Sequence, residues 1–268
     1  MRRATAGHYT HSEPRLRQQL GQLFHGLPDP GLVPQLVVAP HGSLDASGQV
    51  AAKVYNAIDF SQFRNAVVLG AKHRDIGPDI AVSLEPWETP LGRTDIDRMF
   101  TDQLVTKDLA EQSEQAHRHE TSIEMQLLML QYCWDDFDLA PVLIDNEVDD
   151  DTFNDLVAGI KDALNPSDLL IVGTDLVRAG RKYYTVGDDH PEQEVEQADR
   201  QFIELLDRQD QEDIGAFGRE HHVCGWRPLQ AGMAARDLDL FHRLGHTTSF
   251  KSDSDERTIT GYGGFCYT

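Results

Sequence analysis

Lysine is scarce in this chain of 268 residues: there are six, against 18 arginines. The 24 basic side chains face 45 carboxylates, for a formal net charge of −21 and a pI near 4.8. A surface of that sign repels phosphate backbones and anionic lipid, so neither nucleic acid nor a membrane is an expected partner. No stretch approaches the roughly 18 uninterrupted apolar residues of a membrane span, and no apolar signal core follows Met1. Three cysteines, Cys133, Cys224 and Cys266, are too few and too scattered for a disulfide framework. The expected setting is the cytoplasm. Also missing are a GxGxxG after a strand, a Walker A loop, HExxH, GxSxG and CxxC, which disfavours nucleotide-dependent transfer and the common hydrolases.

What is present is a regular alternation. Short apolar runs at 35–39 (QLVVA), 66–69 (AVVL), 80–84, 141–144 and 169–172 (LLIV) read as buried strands. Helical periodicity fills 46–58, 122–133, 151–164 and 192–206 between and after them. The glycine-rich run 259–267 (ITGYGGFCY) reads as a closing strand. With no repeat and no linker, the pattern predicts one α/β domain over 1–268, a mostly parallel central sheet with helices on both faces.

Chemistry-bearing residues follow the strands. Run 35–39 leads into Pro40-His41-Gly42, run 66–69 into Gly70-Ala71-Lys72-His73, and run 169–172 into Gly173-Thr174-Asp175. Ligands in open α/β sheets bind beyond the carboxyl ends of the strands, so parallel strands bring His41, His73 and Asp175 to one edge. Two imidazoles and a carboxylate suit a non-haem iron site; two of 12 histidines also fall after strands by chance. Cys224, in His221-His222-Val223-Cys224-Gly225-Trp226, reads either as a thiolate ligand or as a small buried side chain. Cys133 and Cys266 read as core.

Segment 117–131 (HRHETSIEMQLLMLQ) reads as the start of a helix capped by Thr121 or Ser122. His117 and His119 are expected to be exposed. Glu124 is expected to be solvated or salt-bridged, or else to orient a ligand histidine.

Taken in order, these motifs resemble the Memo family, known also as protein B of the AmmeMemoRadiSam system and related in fold to class III extradiol dioxygenases. Ala6-Gly7-His8-Tyr9, with Leu16 and Leu20, looks like that family's opening and first helix. Pro40-His41-Gly42, the stretch from Gly70 to His73, Thr89-Pro90-Leu91-Gly92 with Asp95 or Asp97, Glu120 to Gln126, Gly173 to Gly180 and Cys224-Gly225 follow in the family's order. The resemblance implies a three-layer α/β/α sandwich of extradiol-dioxygenase type. It further implies an iron or copper site on His41, His73 and Cys224, with Asp175 beside the metal and zinc as an alternative ion. A radical-SAM partner is implied by the resemblance alone.

This chain departs from the pattern at four points. Arg178 and Thr121 stand where many members carry histidines, Lys72 replaces a serine, and Ser43-Leu44 replaces Gly-Tyr. Arginine is permanently charged, so Arg178 cannot act as a base; it pairs with Asp175 or holds an anionic substrate. The leading expectation is an iron- or copper-dependent, dioxygenase-like oxidoreductase acting on a small anionic molecule, with Asp175 and Arg178 as catalytic residues. The alternatives are a scaffold that binds a peptide or small ligand in the same cleft, and a zinc hydrolase using His41, His73 and Asp175.

Overall fold

The computed structural model describes residues 7–180, 191–249 and 258–268; Met1 and Ala6, the first residue of the opening motif, lie outside them. The chain opens with helix α1 (Glu13–Phe24), strand β1 (Leu36–Ala39), α2 (Leu44–Asn56), β2 (Asn65–Ala71) and β3 (Ile80–Val82). A small hairpin, β4 (Trp87–Thr89) and β5 (Gly92–Thr94), precedes α3 (Arg98–Thr106), β6 (Glu111–Gln112), α4 (Glu114–His117) and α5 (Thr121–Cys133). The second half runs β7 (Asp138–Ile144), α6 (Asp150–Ala163), β8 (Asp168–Gly173), β9 (Arg178–Gly180), α7 (Pro191–Arg208), α8 (Gln211–Glu220) and α9 (Trp226–Ala235). It ends with β10 (Phe241–Thr248) and β11 (Thr258–Tyr267).

The main sheet runs β10-β11-β1-β8-β2-β7-β3-β6, with β9 added to β11. Its four central strands, β1, β8, β2 and β7, are mutually parallel, while β3 and β11 join them antiparallel. Apolar side chains alternate between the two faces of each central strand. Val67, Leu69, Leu170 and Val172 enter one core, lined by α3, α6, α7, α8 and α9. Ala66, Val68, Leu169 and Ile171 enter the other, lined by α1, α2, α4 and α5. A strand covered on both faces needs apolar residues at every position, which is why 66–69 and 169–172 are unbroken runs. Three layers result, as expected.

Three local expectations need correction. Helix α5 is buried all round, with residues 122–130 inaccessible; it lies between the sheet and α2, so no polar face is required. Glu124 is therefore buried rather than solvated, and accepts a hydrogen bond from the Tyr9 hydroxyl. His117 is fully buried, its Nδ1 2.8 Å from the Ser113 carbonyl oxygen and its ring edge-on to Trp87. The residue capping α5 is Glu120, one position before the pair expected. Cys133 is half-buried and Cys266 lies in the core; burial pushes each thiol up to about 12.

Candidate metal centre

Strand register assembles the site. Gly173 of β8 pairs with Ala39 of β1 on one side and Gly70 of β2 on the other, so the three strands end at one height. His41, His73 and Asp175 follow within two or three residues of that level and emerge at the same sheet edge. Cys224 arrives from the turn between α8 and α9. One ligand atom each from His41, His73 and Cys224 falls within a group no more than 4.8 Å across. Cys224 Sγ lies 3.7 Å from His41 Nε2, and the two imidazole rings meet at a 66° angle, 5.0 Å between centroids.

Two buried polar residues of α5 clamp these strand ends. Ser122 Oγ donates to the Ala71 carbonyl (2.9 Å), two residues before His73. Gln126 Nε2 donates to the Pro40 carbonyl (3.1 Å), next to His41, while its Oε1 accepts from the Tyr55 hydroxyl (2.8 Å). The helix sits so close that a Cβ on Gly173 would stand 2.0 Å from the Ser122 carbonyl oxygen; only glycine fits. Glu120, at the head of α5, fixes His73 by accepting from its backbone N–H (3.2 Å) and holding its Nδ1 at 2.8 Å. Nε2 is then the ring nitrogen left to bind a metal. His41 has no such clamp: its Nδ1 is buried without a hydrogen-bond partner among the described residues. Its backbone N–H donates instead to Asp175 Oδ1 (2.9 Å).

The cysteine turn is pinned from two directions. The Asp175 N–H donates to Sγ (3.2 Å) and the Gly225 N–H to Thr174 Oγ1 (3.0 Å). Asn146, just beyond β7, donates to the Cys224 carbonyl (2.9 Å) and accepts from the Arg227 N–H (3.3 Å). At Val177, next to Arg178 in the chain, buried Asp199 accepts from the backbone N–H (3.1 Å) and pairs with His246 (2.7 Å).

Charge is distributed unevenly around the centre. Asp175 is almost fully buried, with Arg178 Nη2 2.9 Å from Oδ2 and His41 Nε2 3.6 Å from the same oxygen. Burial pushes its carboxyl up, but the charges and hydrogen bonds of His41 and Arg178 outweigh that and hold it below the usual range. The Cys224 thiol follows the same logic. Burial raises it, whereas Arg178, His41 and a hydrogen bond with His73 pull it well below its ordinary value, towards thiolate. Burial works against a charged His73, yet Cys224 and Glu120 together lift its pKa to about 10.

A cavity of about 760 Å³ opens over His41, His73, Asp175 and Arg178. Thr121 and Ser43, two of the four departures, lie in its wall; Lys72 turns away and pairs with Asp145 (2.9 Å). The sequence carries no sign of the roles of Glu120 and Asn146, nor of Tyr262, which lines the large cavity with its ring against Gly42. Glu120 lies within segment 117–131, immediately before Thr121 and Ser122; Asn146 and Tyr262 carry no local signal.

The donor set fits a metal ion. Bond lengths of about 2.3 Å to sulfur and 2.0–2.1 Å to nitrogen place tetrahedral ligands about 3.6 Å apart, close to the His41–Cys224 separation. Two imidazoles and a low-pKa thiol suit iron, copper or zinc.

Comparison with known proteins identifies the family. A family model described as Memo-like protein matches residues 2–266. A MEMO1 family protein of Methanosarcina barkeri is 29% identical over 269 residues, covering 97% of this chain and 96% of the relative. One of Pyrococcus abyssi is 29% identical over 283 residues, covering 97% and 96%. One of Archaeoglobus fulgidus is 36% identical over 107 residues, 40% of each chain. A match over nearly the whole length, on a three-layer sandwich with these residues at its sheet edge, means that the chain belongs to the Memo family.

Proposed function

We propose that this protein is a metal-dependent redox enzyme in which His41, His73 and Cys224 hold iron or copper. The observation that carries the reading is the convergence of three metal-ligating atoms, from three separate segments, within 4.8 Å of one another. Bound there, the metal would supply a redox-active Lewis acid whose potential the thiolate tunes. The chain's own residues prepare the ground. Glu120 sets the tautomer and direction of His73. Asp175, engaged by the His41 N–H and by Arg178, orients the ligand histidine instead of moving protons. Arg178 lines the cavity, stays charged and orients the acidic group of a small anionic substrate.

The deciding measurement is elemental analysis of anaerobically purified protein, wild type beside His41→Ala and Cys224→Ser. Near-stoichiometric iron or copper, lost in both variants, is the expected result, and O₂ uptake with small organic acids is then the assay to run. A wild type that carries no metal and takes up no added Fe(II), copper or zinc overturns the reading in favour of a ligand-binding cleft. Turnover with Zn²⁺ in the absence of O₂ would identify a hydrolase instead.

A further inference from the structure

A second, smaller cavity of about 290 Å³ reaches the same centre between the turn after β7 and the turn after α8. Of the described residues lining either cavity, the two share only His73 and Arg178. His41 and Asp175 line the large one and not the small; Cys224 lines the small one and not the large. Among the described residues, His73 and Arg178 thus stand between the two, and Cys224 lies on the small-cavity side.

The lining of the small cavity runs against the charge of the molecule. In a chain of net charge −21, it gathers Lys72, Arg178, Arg219 and His222 around one carboxylate, Glu147. Lys72 is matched by Asp145 and Arg178 by Asp175, each at 2.9 Å. Arg219 is exposed, lies 5.1 Å over the Trp226 ring, and forms no ion pair with a carboxylate among the described residues. A volume just below that of drug-sized pockets suits a species of a few heavy atoms, and a guanidinium at the mouth draws anions inward.

We propose that this cavity is a second entrance to the centre, selective for small anions, which delivers them to Cys224 without passage through the large cavity. The proposal does not require that a metal be bound, so it is tested on chelator-treated protein. Iodoacetate and iodoacetamide both alkylate a thiolate: the sulfur attacks the methylene carbon, a C–S bond forms and iodide leaves. Rates at Cys224 are read by peptide mass spectrometry, with Cys133 and Cys266, whose thiols burial keeps protonated, as unreactive controls. The expected iodoacetate-to-iodoacetamide rate ratio at Cys224 exceeds that of glutathione about tenfold. Arg219→Glu lowers the iodoacetate rate about threefold or more and leaves iodoacetamide unchanged. Glu147→Trp, at the small mouth, slows both reagents, while Thr121→Trp, in the large cavity wall, slows neither. Circular dichroism checks that each variant is folded. A Cys224 inert to both reagents, a ratio no higher than that of glutathione, or protection by Thr121→Trp in place of Glu147→Trp would each overturn the proposal. A protein that binds no metal fails the functional reading above and leaves these rates as they are.

Discussion

Glu120 bears most directly on the centre without offering a ligand atom to it. Its carboxylate is 1% exposed and touches His73 at both the backbone N–H and Nδ1. Glu120→Gln keeps the shape and removes the charge that fixes the ring, so metal affinity should fall about 10- to 100-fold with little change in fold. Competition with a chelator of known strength measures this, and an unchanged affinity would mean that packing alone orients His73. Asn146 works at longer reach, joining the Cys224 carbonyl to the Arg227 amide. Neither residue could be assigned from the sequence. A lone Glu ahead of two better capping residues carries no signal of its own, and a lone Asn after a strand reads as a turn residue.

Helix α5 is the element on which the site hangs. It carries Ser122 and Gln126 to the ends of two strands and passes within contact of a third at Gly173. Gly173→Ala puts a methyl group against backbone that cannot yield cheaply, and should cost about 1–3 kcal/mol in urea denaturation. Because the displaced helix also carries Glu120, the variant should weaken metal binding together with stability. Tyr55→Phe tests the other end of the clamp. It leaves Gln126 Oε1 buried and without its partner, for an expected loss of about 1–3 kcal/mol. A neutral result would mean that water replaces the hydroxyl. Elsewhere, element positions were legible: 151–164 is observed as Asp150–Ala163 and 259–267 as Thr258–Tyr267. The β4–β5 hairpin, the two-residue β6 and the antiparallel β10 were not. They are short or half-exposed, and their pairing depends on distant partners.

At the scale of the whole molecule, charge is the main liability. A net −21 on a compact chain is self-repelling, and the repulsion is long-range. Raising NaCl from about 0.05 to 0.5 M shortens the screening length from about 14 to 4 Å. Relief of about 1 kcal/mol would raise Tm by roughly 2–4 °C for a chain of this size. A flat or falling Tm would show that the arginine–carboxylate pairs, which salt weakens, outweigh the repulsion. Among the described residues, no helix is long and apolar enough to cross a membrane.

The sequence by itself determined the layers. Unbroken apolar runs demand strands covered on both faces, and the 3.6-residue period between them demands helices to do the covering. It also put His41, His73 and Asp175 just past strand ends, because a strand's terminus is a local property. Tertiary structure decided that the three strands stand side by side at one height. It also brought a cysteine 183 positions from His41 to meet that histidine, and turned α5 inward on every side. Periodicity and turn chemistry act over about a dozen residues. Strand order, and with it the contacts that make a site, is settled only when the layers pack.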